Sequence, residues 1–256
     1  MFGFMLRYLL RTSGKYFYTM SRKHRRQKQQ SNIINFTNYL AEKRHVARPT
    51  ARTPGQQEYL NILNNYQYKI VVALGPAGTG KTMLATERAI ERLQKGEIDK
   101  VVVTRPASSV DEEIGFLPGD INRKMQPWMR PILDVFENHY LPPTVDEMMK
   151  RGTIEIAPLA FMRGRTFKDA FVIGDEMQNS TPSQMKMLMT RLGKGSQMVI
   201  TGDTRQSDRM VGNGLVDFKR QYENYFNAEY VKFVELGKAD IQRHPAVSEV
   251  LGIYGE

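Results

Sequence analysis

The stretch 75-GPAGTGKT-82 matches the pattern G-x-x-x-x-G-K-[ST] without a gap. Residues of these types at this spacing bind phosphate. Glycine permits backbone dihedrals that aim several N–H groups at one point, and a helix beginning there adds its positive end. Gly75, Pro76, Ala77, Gly78, Thr79 and Gly80 would form the cradle. Lys81 would neutralise β- and γ-phosphate oxygens, and the Thr82 hydroxyl would ligate Mg²⁺. Further on, 171-FVIGDE-176 ends an apolar run on two adjacent carboxylates. Asp175 would reach the metal, directly or through water, and Glu176 would polarise an attacking water. In 201-TGDTRQ-206, Asp203 and Gln206 could reach the γ-phosphate and report nucleotide state. In 52-RTPGQQ-57, the Gln56 amide offers a donor and an acceptor to an adenine edge.

Each of these short motifs has a bland reading: an acidic strand end, a Gly-Asp turn, a loop glutamine. Their combination behind a full phosphate loop points to ATP hydrolysis. A small-molecule kinase needs an acceptor pocket, and a GTP switch needs an Asn-Lys-x-Asp element that the sequence lacks. His24, His45, His139 and His244 form no ligand spacing, so Mg²⁺ is the one metal expected.

These residues must be delivered by regular elements. Strand patterns run over 69–75, 100–106, 153–158, 170–176, 197–203 and 230–236, each nearly continuous in apolar residues, as expected for parallel strands buried on both faces. Helical patterns run over 80–95, 127–140, 181–192, 213–226 and 244–254, with Thr181-Pro182 reading as a helix start. Alternation of strand and helix predicts an α/β fold with a mostly parallel central sheet flanked by helices. The strands that end at Gly75, Asp175 and Asp203 place the chemistry at their carboxyl ends, where open α/β sheets bind ligands.

Charge divides the 256 residues unevenly. Residues 1–52 carry 12 Lys/Arg against the single acid Glu42, whereas the rest of the chain is within one charge of neutral. Residues 1–52 therefore read as a basic, flexible arm and 53–256 as an ATPase domain. Within the arm, Met20 opens a run that looks like a natural N-terminus, so 1–19 is read as an upstream-start extension; signal-peptide and organellar-presequence readings are weaker. The run 21-SRKHRRQKQQ-30 is either a solvated tail or a contact arm for a phosphate backbone. No apolar run is long enough to cross a bilayer, and the absence of cysteine excludes disulfides and a thiol nucleophile.

Several long stretches closely resemble the PhoH family of ATPases: 103–134, 154–179, 184–193, 198–208 and the ending 239-ADIQRHPAV-247. The resemblance spans about residues 53–253. It implies a RecA-like P-loop NTPase core related to superfamily-one helicases, ATP and Mg²⁺ as cofactors, a link to RNA or single-stranded nucleic acid, and a ring-shaped homo-oligomer, a hexamer among the options. It implies a cytoplasmic setting, in a bacterial cell or a phage-infected host, with no membrane partner. Carried over by residue, it assigns the adenine contact to Gln56, metal and water activation to Asp175 and Glu176, and the γ-phosphate sensor to Gln206. Arg243 occupies the place of an arginine finger, often supplied by a neighbouring subunit. Arg105, Arg163 and Arg165 match family positions and could grip nucleic-acid phosphate or nucleotide, with pairing to 111-DEE-113 the competing account. Trp128, Phe116, Phe161 and Phe167 could stack on bases, although aromatics at such spacings are more often core.

After Gln206 the sequence departs from the family pattern at Ser207-Asp208-Arg209-Met210, which leaves the role of that loop open. The functional expectation is an ATPase that couples hydrolysis to nucleic-acid remodelling, helicase-like but with one core, so that translocation would need an oligomer. The alternative is a nucleotide-binding regulatory module without motor activity.

Overall fold

The computed structural model describes residues 46–106, 121–206 and 212–253, with 121–128, 248, 251 and 252 described by backbone alone. The Asp-Glu-Glu run at 111–113, Phe116, the Trp128 side chain, the Ser207–Met210 departure and the basic run at 21–30 lie outside what is described.

Thr53 and Pro54 begin helix α1 (Pro54–Asn64) by two devices at once. The Thr53 hydroxyl accepts the Gln56 N–H at 3.2 Å, and Pro54 occupies a first-turn position where no N–H is needed. Strand β1 (Ile70–Leu74) then enters the phosphate loop, and α2 (Lys81–Gln94) leaves it. There follow β2 (Lys100–Thr104), α3 (Ile121–Glu137), α4 (Pro142–Lys150), β3 (Ile154–Ile156) and β4 (Ala170–Gly174). The chain continues through α5 (Pro182–Met189), β5 (Gln197–Gly202), α6 (Gly214–Glu223), β6 (Val231–Glu235) and α7 (Pro245–Ile253). All six expected strands are present. Helix α3 starts earlier than the pattern at 127–140 predicts, and α1 and α4 lie where no helix was expected.

The strands form one parallel sheet in the order β3-β2-β4-β5-β1-β6. The strand ending at Asp203 is thus inserted between the phosphate-loop strand and the strand ending at Asp175. Leu74 pairs with Gly202 and Glu235, and Thr104 with Gly174, so the strand ends are level. Level ends bring loops far apart in sequence to one edge. This is the parallel, helix-flanked α/β sheet that the alternating sequence pattern predicts.

Burial follows the pleat. Val72, Val102, Val172, Met198 and Ile200 face a layer that includes Met185 and Leu188 of α5 and Leu215 of α6. Their alternates Val71, Val101, Phe171, Ile173 and Val199 are equally buried on the other face, which α1 and α2 help to cover. Burying each such side chain stabilises by roughly 1.5–3 kcal/mol. The sheet edge departs from the two-sided pattern: Val231, Lys232 and Phe233 of β6 are only half-buried and Glu235 is exposed, as an edge strand requires.

Candidate active site

The phosphate loop is shaped by three glycines with positive φ: Gly75 at 148°, Gly78 at 85° and Gly80 at 83°. Gly75 also has no room for a side chain, since a Cβ there would lie 2.4 Å from the Leu236 carbonyl oxygen. The Lys81 ammonium folds back on the loop and donates to the Gly75 carbonyl at 2.6 Å and the Pro76 carbonyl at 2.9 Å. Burial pushes the Lys81 pKa down, and the nearby carboxylates of Asp203, Glu176 and Asp175 oppose that. A phosphate in the loop would add a further anion beside this desolvated cation.

Asp175 is 4% exposed and heavily partnered. Its Oδ1 accepts the hydroxyls of Thr82 and Thr201, both at 2.6 Å, and its Oδ2 accepts Arg105 Nη2 at 2.7 Å. The first bond ties the end of β4 to the start of α2, and the second ties β4 to β5. Three hydroxyl and carboxylate oxygens therefore stand together at the lip of the loop. Hard oxygen donors suit Mg²⁺, which characteristically takes one or two protein oxygens and completes its shell with phosphates and water. Among the described residues no group of three or more His, Cys, Asp or Glu could hold a metal alone, so an ion here would depend on the nucleotide.

Glu176 sits in the left-handed region, φ 52° and ψ 39°, a conformation that costs a non-glycine residue roughly 1–2 kcal/mol. Its neighbours hold it there. Gln178 Nε2 donates to Glu176 Oε2 at 2.6 Å, and Gln178 Oε1 accepts the Asp203 N–H at 3.2 Å. Arg105 Nη2 lies 3.6 Å from Glu176 Oε1. The turn aims Glu176 into a cavity of about 250 Å³ that Ala77, Gly78, Lys81, Thr82, Asp175, Thr201, Asp203 and Gln206 also line. Gln206 is set by a turn in which its N–H donates to the Asp203 carbonyl at 3.2 Å.

The remaining expected residues divide. Gln56 is 1% exposed, with both ends of its amide engaged: Nε2 donates to the Thr79 carbonyl at 3.1 Å and Oε1 accepts the Arg52 N–H at 2.8 Å. It stands on a helix rather than a loop and braces the phosphate loop from behind. Arg105 belongs to the carboxylate cluster. Arg165 forks onto both carboxylate oxygens of Glu155 and lies over the Phe167 ring at 4.9 Å. The hydrogen bond from Arg165 holds the Glu155 carboxyl below its usual range. Arg163 is exposed and forms no ion pair among the described residues. Phe167 is core at 1% exposure, whereas Phe161 is 53% exposed. The Arg243 side chain lies against Gly78 of the same chain.

Three members of the cluster were not anticipated: Thr201, Gln178 and the carboxylate role of Arg105. Thr201, two before Asp203, is visible as a polar residue in an apolar run, whereas Gln178, two past Glu176, lies in a polar stretch that does not single it out. Only the adjacency of β4 with β5 and β2 gives them partners.

Comparison with known proteins agrees with this layout. The PhoH family, described as PhoH-like protein, matches over residues 49–255. A PhoH-like protein of Bacillus subtilis is 44% identical over 205 residues, which cover 79% of this chain and 63% of the relative. One from Synechocystis is 42% identical over 217 residues, 84% of this chain and 65% of the relative. Protein PhoH of Escherichia coli K12 is 40% identical, covering 80% of this chain and 57% of its own length. The chain thus spans less than two thirds of the length of these relatives. Among solved structures, the Pyrococcus furiosus Hef helicase domain aligns with a TM-score of 0.41 at 12% identity, covering 71% of this chain and 37% of that one.

Proposed function

The chain belongs to the PhoH family, and from that premise we propose that it is a Mg²⁺-dependent ATPase that couples hydrolysis to RNA or single-stranded nucleic acid. The observation that carries the reading is the buried Asp175 carboxylate, tied to Thr82 and Thr201, with Glu176 turned beside it into the cavity over the phosphate loop.

The division of labour follows from charge and position. Loop amides and Lys81 bind the β- and γ-phosphates. Thr82 and Asp175 would hold Mg²⁺, which would offset negative charge on the phosphate oxygens. Glu176 accepts a proton from water as the water oxygen bonds to the γ-phosphorus. The bond from that phosphorus to the bridging oxygen breaks, and ADP departs with the electron pair. Gln206 contacts the γ-phosphate and reads its loss. Gln56, buried with both ends of its amide engaged, supports the phosphate loop from behind, so the adenine contact expected of it would act through the loop rather than through a free amide edge.

The basic arm expected over 1–52 is proposed to end ahead of residue 46, because Ala47 is buried in the body, and the rest of the chain is proposed as the ATPase domain, assembled as a ring-shaped homo-oligomer in the cytoplasm. Among the described residues no helix is long and apolar enough to cross a membrane. Glu176→Gln tests the hydrolytic core. It should lower kcat by about 100-fold or more while leaving ATP binding intact. Unchanged turnover would remove Glu176 from the mechanism.

A further inference from the structure

Arg243 stands on the wrong flank of the loop for the hydrolytic cluster of its own chain. In the sheet order, β5 and β4 lie on one side of β1 and β6 lies on the other. Asp175, Glu176 and Gln206 follow β4 and β5. Arg243 follows β6, and the segment that carries it returns over the loop from that opposite side. The Gln242 N–H donates to the Gly78 carbonyl at 3.0 Å. The arginine side chain then covers Gly78 so closely that a Cβ there would meet Arg243 Nε at 2.6 Å and Cγ at 3.1 Å.

The segment is also pinned. Asp240, 7% exposed, accepts the Thr53 hydroxyl at 2.5 Å and the Gly237 N–H at 2.8 Å. It fills the space above Gly55, where a Cβ would lie 2.5 Å from its Oδ2. Burial pushes the Asp240 carboxyl up, but hydrogen bonds from Thr53, Gly237 and Gly55 outweigh it and hold the group below its usual range. Gln56, which grips the Thr79 carbonyl, belongs to the same flank. A polar wall built by α1 and the 237–243 segment therefore stands across the loop from the carboxylates.

A nucleoside triphosphate is linear. With its γ end toward Asp175 and Glu176, its nucleoside must leave on the far side. We propose that Arg243 is a nucleoside-contacting residue acting within its own chain, its guanidinium packing on the face of the base, rather than a finger that reaches a neighbour's γ-phosphate. The inference rests on the loop holding ATP, as proposed above. A planar cation suits a π-face, and such a contact adds affinity without touching the bond that breaks.

The test uses full-length protein with Arg243→Ala and Arg243→Lys, and measures binding of ATP, ADP and inorganic tripolyphosphate with Mg²⁺, beside steady-state turnover. Arg243→Ala should weaken ATP and ADP alike, by about 10-fold, and leave tripolyphosphate affinity nearly unmoved. The loss in turnover should fall on KM rather than kcat. Arg243→Lys, which keeps the charge but not the plane, should lose an intermediate amount, and it stands in for the alanine variant if that one misfolds. An equal loss for tripolyphosphate would reduce Arg243 to a support of the loop. A collapse of kcat with nucleotide affinity kept, rescued by mixing in Glu176→Gln chains that retain Arg243, would make it a finger in trans. Both results overturn the proposal. ATP binding that ignores Arg243 would sink this inference alone, whereas a wild-type chain that binds neither ATP nor tripolyphosphate would sink the phosphate-loop reading itself.

Discussion

Arg163 and Arg165 are two positions apart and share a composition-level description, yet they do different work. Arg165 is committed to Glu155 and to the Phe167 ring. Arg163 is exposed on the carboxyl edge of the sheet with no ion pair among the described residues. Arg165→Ala should therefore cost stability, about 1 kcal/mol or less because the pair is part-exposed, and leave RNA affinity unchanged. Arg163→Ala should leave the melting temperature alone and weaken RNA binding, with a shallower dependence on salt. Thermal melts and RNA titrations of the two variants check this, and the reverse pattern would exclude Arg163 as a phosphate contact. The sequence showed two cations after one strand; it could not show which of them would fold back onto Glu155 of that strand. Arg105 makes the same point. It reads as a grip on substrate, and it stands 2.7 Å from Asp175 because β2 and β4 are neighbours.

Among the elements, α1, one of the two helices that sequence patterning missed, organises the flank of the phosphate loop opposite the carboxylates. The signal for α1 was present in Thr53-Pro54, the same cap-and-proline pair that marks α5 at Thr181-Pro182. Its buried face is mixed, with Gln56 beside Tyr59, Leu60, Ile62 and Leu63, so apolar periodicity alone is weak in its first turn. Asp240 joins this helix to the segment that follows β6. Asp240→Ala would leave the Thr53 hydroxyl and the Gly237 N–H without their acceptor, at a cost of about 1–3 kcal/mol. It should lower the melting temperature and, by freeing the Arg243 segment, weaken ATP binding as well. Denaturation with and without ATP measures both effects. A destabilised variant with unaltered ATP affinity would separate Asp240 from the nucleotide site.

At the scale of the whole molecule, the net positive charge and the phosphate loop are carried by different parts of the chain. Ala47 is fully buried and its N–H donates to the Gln94 side chain at 2.9 Å, so the body takes in residues ahead of 53. A cut at 53 would damage it. The arm is better tested in the intact chain by replacing Arg22, Lys23, Arg25, Arg26 and Lys28 with Gln. For every RNA phosphate that the arm no longer neutralises, the slope of log affinity for single-stranded RNA against log salt should flatten by about 0.7. ATP turnover without RNA should stay the same. An unchanged slope would return the run to a solvated tail.

The sequence by itself determined what is local. A phosphate loop is a contiguous run, so Gly75 to Thr82 could be read in place, as could the six strand patterns and the carboxylates at their ends. Dihedral freedom, apolar period and residue type are properties of neighbours along the chain. Tertiary structure alone decided the partnerships. The order β3-β2-β4-β5-β1-β6 put Thr201 and Arg105 on Asp175, and it set Arg243 across the loop from the residues that would break the phosphate bond. Strand order is fixed by long-range packing of two-sided apolar strands. Nothing local to Arg243 or Arg105 carries it.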